Sequence, residues 1–147
     1  MKVFFACDHA GIDLKDELCA YTNEKEGFEG VDIGIHTGEK IDYPVAAEDL
    51  CRHVLEEKCL GVLICGTGIG MSMSANKVNG IRAAAVSEPF SAKLTRQHND
   101  ANVLCMGARV VGPELAKMCL DNFLDAEFEG GRHQRRVDII NDIEKRN

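Results

Sequence analysis

The stretch Gly61-Val62-Leu63-Ile64-Cys65-Gly66-Thr67-Gly68-Ile69-Gly70-Met71-Ser72 decides the fold. Its first five residues are an unbroken apolar run, as a strand covered on both faces requires. Three alternate glycines then break the run, and a short helical pattern follows over Met71–Lys77. A buried strand, a glycine-rich turn and a helix together make one repeat unit of a parallel α/β sheet.

The same alternation extends in both directions. Upstream, Lys2–Cys7 reads as a first strand and Gly11–Lys25 as a helix with Leu14, Leu18 and Tyr21 on one face. Gly30–Gly34 is a short second strand. Pro44 opens a second helix, in which Ala47, Leu50, Cys51, Val54 and Leu55 keep the 3.6 period. Downstream, Ile81–Val86 and Val103–Met106 repeat the doubly buried pattern. Pro89–Gln97 and Pro113–Asp125 each start with proline in the first turn, where its missing N–H costs little. In the second of these, Leu115, Met118, Cys119 and Phe123 are expected to form the buried stripe. A last helix, over about 134–146, carries Val137, Ile140 and Ile143. The pattern predicts one α/β domain over residues 1–147, a three-layer α/β/α sandwich. Its core is a Rossmann-like parallel sheet of about five strands with helices on both faces. Right-handed crossovers put the strand C-termini on one rim, where ligands of such sheets bind.

The length of 147 residues suits a single domain. The composition, 45% hydrophobic and 28% charged, is that of a globular protein. No apolar run approaches the roughly 20 residues of a membrane helix, and the N-terminal run is too short for a signal peptide. A net charge of −7 argues against general attraction to nucleic acid or anionic lipid. Seven cysteines, at 7, 19, 51, 59, 65, 105 and 119, form no C-x-x-C pair. Nothing in their spacing looks like a zinc site. Reduced thiols in the cytoplasm are the expectation, most of them core fillers.

Polar and glycine-rich residues concentrate at the predicted strand ends, and these segments are expected to converge on one cleft. The Gly66–Ser72 loop leaves backbone N–H groups open to an anion, next to a helix N-terminus. It is not a dinucleotide fingerprint, which needs glycine at Met71. Nor is it a P-loop, which needs a lysine the loop lacks. It is either an amide nest for a phosphate or oxyanion, or a plain strand-to-helix turn. Cys65 stands just before it. Oriented amides favour a thiolate, and a thiolate is a competent base or nucleophile; the alternative is a buried structural thiol. His98 lies in Gln97-His98-Asn99-Asp100-Ala101-Asn102, either as a proton carrier or as a histidine favoured at a helix C-terminus. Asp8, before His9, orients a sugar hydroxyl, tunes a histidine or caps the first helix. Arg132 and Arg136 are four apart and share a helix face. Two guanidinium forks suit a phosphate dianion, although a charge run near a chain end is also simply solvated.

Taken together, these segments resemble the type B ribose-5-phosphate isomerases, in the wider ribose/galactose phosphate isomerase family. The matching pieces begin with Ala6-Cys7-Asp8-His9-Ala10-Gly11, Asp42-Tyr43-Pro44 and Cys65–Ser72. They continue with His98-Asn99-Asp100-Ala101-Asn102, Gly107-Ala108-Arg109-Val110, Gly131-Arg132-His133 and Arg136. The resemblance spans nearly the whole chain. It implies an aldose–ketose isomerase without metal or other cofactor, acting on a sugar phosphate through a cis-enediolate. By position, Cys65 would move the proton, Thr67 would support it, and His98 would assist ring opening. Asp8, His9, Tyr43, Gly66, Gly68, Ile69, Gly70, Ser72 and Asn99 would contact the sugar or its enediolate. His9, Arg109, Arg132 and Arg136 would bind phosphate. The resemblance further implies a homodimer or homotetramer with sites shared between subunits and the last helix at the interface. The presence of Cys65 and His98 in one chain favours ribose 5-phosphate. Allose or galactose 6-phosphate remains the second reading. A non-catalytic phosphosugar-binding module is a third, and a thiol redox sensor at Cys65 a fourth.

Overall fold

A computed structural model describes all 147 residues. In chain order the elements begin with β1 (Lys2–Cys7), α1 (Ile12–Asn23), β2 (Glu29–Asp32) and α2 (Tyr43–Glu57). Then come β3 (Leu60–Cys65), α3 (Ile69–Ala75), β4 (Ala83–Ala85) and α4 (Pro89–Asn99). The chain closes with β5 (Val103–Gly107), α5 (Pro113–Asp125) and α6 (Arg132–Lys145). The five strands form one parallel sheet in the order β2-β1-β3-β5-β4.

Alternate residues of the central strands feed two separate cores, which is why those strands are apolar without interruption. Phe5, Val62, Ile64 and Leu104 face one layer with Leu18 of α1 and Leu120 and Phe123 of α5. Phe4, Leu63, Cys65 and Cys105 face the other, with Leu50 and Val54 of α2 and Met71 of α3. The three-layer α/β/α sandwich expected from the sequence is the observed architecture. No helix is long and apolar enough to cross a membrane.

Several local expectations need correction. Ile81–Val86 is not a doubly buried strand. Only Ala83–Ala85 pairs, at the sheet edge and partly exposed, because β5 flanks it on one side alone. In α5 the buried side is Ala116, Cys119, Leu120, Phe123 and Leu124. Met118 is 54% exposed, since the sheet meets the helix about one position away from the face expected. In α2, Leu55 sits at the margin, and of the three apolar residues expected to line α6 only Val137 is buried, while Ile140 and Ile143 face outward. Tyr21 is partly exposed, its hydroxyl donating to Asp121 at 2.7 Å.

Candidate active site

The strand order reverses direction between β1 and β3, and ligands of open parallel sheets bind at such a switch point. Asp8 directly follows β1 and Cys65 ends β3, so the two stand on neighbouring strand ends. They line a cleft of about 420 Å³ together with Tyr43, Gly66, Thr67, Ile69, Gly70 and Arg109. Met73 also lines it and was not anticipated; an apolar residue in a short helix carries no sequence signal of such a place.

The cleft floor is built by backbone. Gly68 has φ +79°, a conformation side chains rarely adopt. A Cβ there would lie 2.8 Å from the Met106 carbonyl carbon, so only glycine lets the loop rest on β5. Gly107 makes the reciprocal approach, with a Cβ that would fall 2.6 Å from Thr67 backbone. The amides of Ala108 and Arg109 donate to the carbonyls of Cys65 and Gly66 at 2.8 and 3.1 Å, fastening the loop to the end of β5. The N–H of Gly68 donates to Cys65 Sγ at 3.1 Å, and that of Ile69 to Thr67 Oγ1 at 3.2 Å. The N–H groups of Gly66, Thr67 and Gly70 have no partner within the protein. They form a preorganised donor set for an anion or oxyanion. The Arg109 guanidinium lies against Gly66 and the Tyr43 ring against Gly70, framing the mouth.

The remaining cysteines have a different setting. Burial pushes Cys7 and Cys51 up to about 12 and Cys119 up to about 11. It raises Cys19, Cys59 and Cys105 as well. All six are buried free thiols held in the neutral form. Asp8 does not cap α1, whose N-cap is Gly11; its carboxylate accepts the Ala10 N–H at 2.9 Å, closing a turn after β1. Ser72 donates its hydroxyl to the Ala83 carbonyl at 3.4 Å, toward the sheet edge. His9 is exposed beside the cleft.

The expectation of a single cleft is not met within one chain. Helix α4 follows β4 and returns across the sheet, so His98 in its last turn and Asn99 lie at the opposite rim. The turn after them accepts the Gly61 N–H through Asn102 at the start of β3, whereas Cys65 is at the end of β3. The intervening strand is about 16 Å long at about 3.3 Å per residue. Arg132 and Arg136 are exposed on the first turns of α6, on His98's side of the molecule. Between them His133 is buried and stacks on His98, ring centroids 4.1 Å apart and planes 10° apart. Burial holds His133 below the usual histidine range, helped by the charges of His98, Arg132 and Arg136 and opposed by Glu129. Arg82 clamps the same turn: its guanidinium donates to the Asn99 and Asp100 carbonyls and to the Asp100 carboxylate. The predicted site residues thus form two clusters, one at each rim.

Asp16, Asp32 and His36 bring metal-ligating atoms close together, but the buried Lys15 ammonium bridges both carboxylates.

Residues 3–140 match the family model described as Ribose/Galactose Isomerase. The chain is 53% identical to the Escherichia coli protein named Ribose-5-phosphate isomerase B, over 99% of this chain and 97% of that one. It is 44% identical to the Pectobacterium atrosepticum D-erythrulose-4-phosphate isomerase, over 95% and 93% of the two chains. Among solved structures, Clostridium thermocellum Ribose-5-Phosphate Isomerase B superposes with a TM-score of 0.94 at 46% identity, covering 99% of each chain.

Proposed function

This chain belongs to the ribose/galactose isomerase family, and from that membership and its cleft we propose that it interconverts D-ribose 5-phosphate and D-ribulose 5-phosphate in the pentose phosphate pathway. The observation that carries the chemistry is the Cys65 thiol beside a loop whose Gly66, Thr67 and Gly70 amides are unpartnered.

The reaction needs three things. The furanose must open: a proton reaches ring oxygen O4 as the C1–O4 bond breaks and the O1 hydroxyl releases its proton, leaving the C1 aldehyde. His98 is the acid of this step. Cys65, as thiolate, then removes the C2 proton, and charge builds on O1 in a cis-enediolate. The loop amides receive that charge without reorganising, at about 3–4 kcal/mol per well-placed donor. Finally the O2 proton passes to O1 as the thiol returns its proton to C1, giving the C2 ketone and the C1 hydroxyl. Thr67 orients the loop through its hydroxyl. Asp8, Tyr43 and Asn99 hold sugar hydroxyls, and the arginines with His9 hold the phosphate, whose binding energy orients the reacting carbons. The chemistry uses the chain's own groups, so turnover is expected to survive excess EDTA.

The two rims require a second copy. A two-fold dimer brings the His98 rim of one subunit to the Cys65 cleft of the other, and the symmetry completes two sites at once. Ile139, Ile140 and Ile143 of α6 and Ile69 and Met73 of α3 are exposed apolar side chains available to that contact. Seven free thiols suit a reducing, cytoplasmic compartment.

The test is turnover of ribose 5-phosphate with excess EDTA, wild type beside Cys65→Ala. Activity in the first and none in the second is expected. Wild-type activity retained in Cys65→Ala would remove the base assignment. Measuring kcat/KM on ribose 5-phosphate, allose 6-phosphate, galactose 6-phosphate and a tetrulose 4-phosphate separates the pentose reading from its neighbours. The four-carbon substrate enters because a 44% identical relative carries that name.

A further inference from the structure

The stacked histidines lie outside the cleft-lining residues and have a geometry of their own. His133 is buried at the first turn of α6, whereas His98 is half-buried on α4. The strap between α5 and α6 is tied to α4 by the Glu129 N–H, which donates to the Gln97 carbonyl at 3.0 Å. Glu129 Oε2 lies 3.7 Å from His133 Nε2. These three side chains have the composition of a metal cage, but their arrangement does not suit one ion. Ring planes 10° apart carry their in-plane lone pairs side by side, so the two nitrogens do not aim at a common point.

We propose that His133 is a positioning residue for His98: its buried ring, fixed by α6 and the strap, supplies a flat face that holds the His98 ring in the one orientation suited to ring opening. The inference rests on the reading of His98 as the ring-opening acid. A half-exposed histidine in a last helical turn has rotamer freedom. Stacking against a fixed aromatic face removes it, with no hydrogen bond occupying either His98 nitrogen. The near-parallel, centroid-close contact is the attractive arrangement for one uncharged and one proton-carrying ring. Burial favours the uncharged His133 that meets this condition, with His98, Arg132 and Arg136 also opposing a charge on it and Glu129 alone favouring one.

The test uses two apolar replacements of the full-length protein. His133→Phe keeps burial and a planar face; His133→Leu keeps burial and removes the face. Two readouts are taken: turnover of ribose 5-phosphate, and exchange of the C1 proton of ribulose 5-phosphate with deuterated water. Ribulose 5-phosphate has no furanose to open, so exchange reports Cys65 alone. His133→Leu is expected to lower turnover roughly ten- to a hundredfold, the cost of misplacing a catalytic group, with KM and exchange within about twofold. His133→Phe is expected to stay within about threefold of wild type on both readouts, since an aromatic face is retained. Equal impairment of the two variants, or equal loss of turnover and exchange in His133→Leu, would overturn the proposal, as would wild-type turnover in His133→Leu. His98→Asn distinguishes the underlying reading: if it abolishes exchange along with turnover, the ring-opening role of His98 fails, whatever His133 does.

Discussion

The backbone N–H of Gly68 donates to the sulfur of Cys65 at 3.1 Å, and Gly68 can hold that position only because it lacks a side chain. Its positive φ and its approach to Met106 both exclude a Cβ. Gly68→Ala is therefore expected to lower stability by about 1–3 kcal/mol, as strained left-handed backbone does. It is also expected to reduce kcat at least tenfold, because the loop amides move with it. Thermal denaturation and steady-state kinetics check this, and normal kcat in a folded variant would separate the thiol from the loop.

Cys65 and His98 stand at opposite rims of one chain, so their defects are expected to complement. Cys65→Ala and His98→Asn should each be nearly inactive alone. Refolded together at equal concentration, they are expected to recover about a quarter of wild-type activity. Half the dimers are then mixed, and a two-fold interface gives each of these one intact site. Absence of recovery in demonstrably mixed dimers would place both residues in a single-chain site.

Arg82 reaches two carbonyls and a carboxylate at the turn that ends α4, where Asp100 has φ +47°. Arg82→Ala is expected to cost about 1.5–3 kcal/mol, the range for hydrogen bonds to charged groups. Arg82→Lys is expected not to restore it, since an ammonium lacks the planar fork. Hydrogen exchange at Asn99–Asn102 should quicken in both variants, and unchanged protection there would show that the clamp is dispensable.

The buried thiols make stability fall in alkali. Cys51 ionises at 9.0 in a free reference and at about 12 in the fold, so the unfolded chain releases its proton first. Its contribution is complete below pH 9.0 and is lost as the pH rises toward about 12, the folded value. The slope between is about 1.4 kcal/mol per pH unit for one such thiol. Urea denaturation at pH 7.5 and pH 10 should show a smaller alkaline loss in Cys51→Ala than in wild type. An identical loss in both would assign the effect elsewhere.

The sequence carried the layers of this fold in its periodicities. Gly61–Cys65 is apolar at every position because both faces of β3 are covered, and burial on both sides leaves no room for polar alternation. The alternate glycines of Gly66–Gly70 likewise announced a loop with open amides, since no other residue lets the backbone approach that closely. Edge and phase were not legible. Ala83–Ala85 and Met118 have the composition of core, and only neighbours distant in sequence determine that β4 has one partner and that α5 is turned slightly about its axis. The site divides in the same way. Cys65, the loop, Asp8 and Arg109 lie together because each stands at or just past the C-terminal end of a strand, and strand ends share a rim by connectivity alone. His98 belongs to a helix that returns across the sheet, and His133 to a helix docked on that one. Their separation from Cys65 and their stacking on each other are decided by how helices pack, a property of the three-dimensional surface that no local spacing encodes.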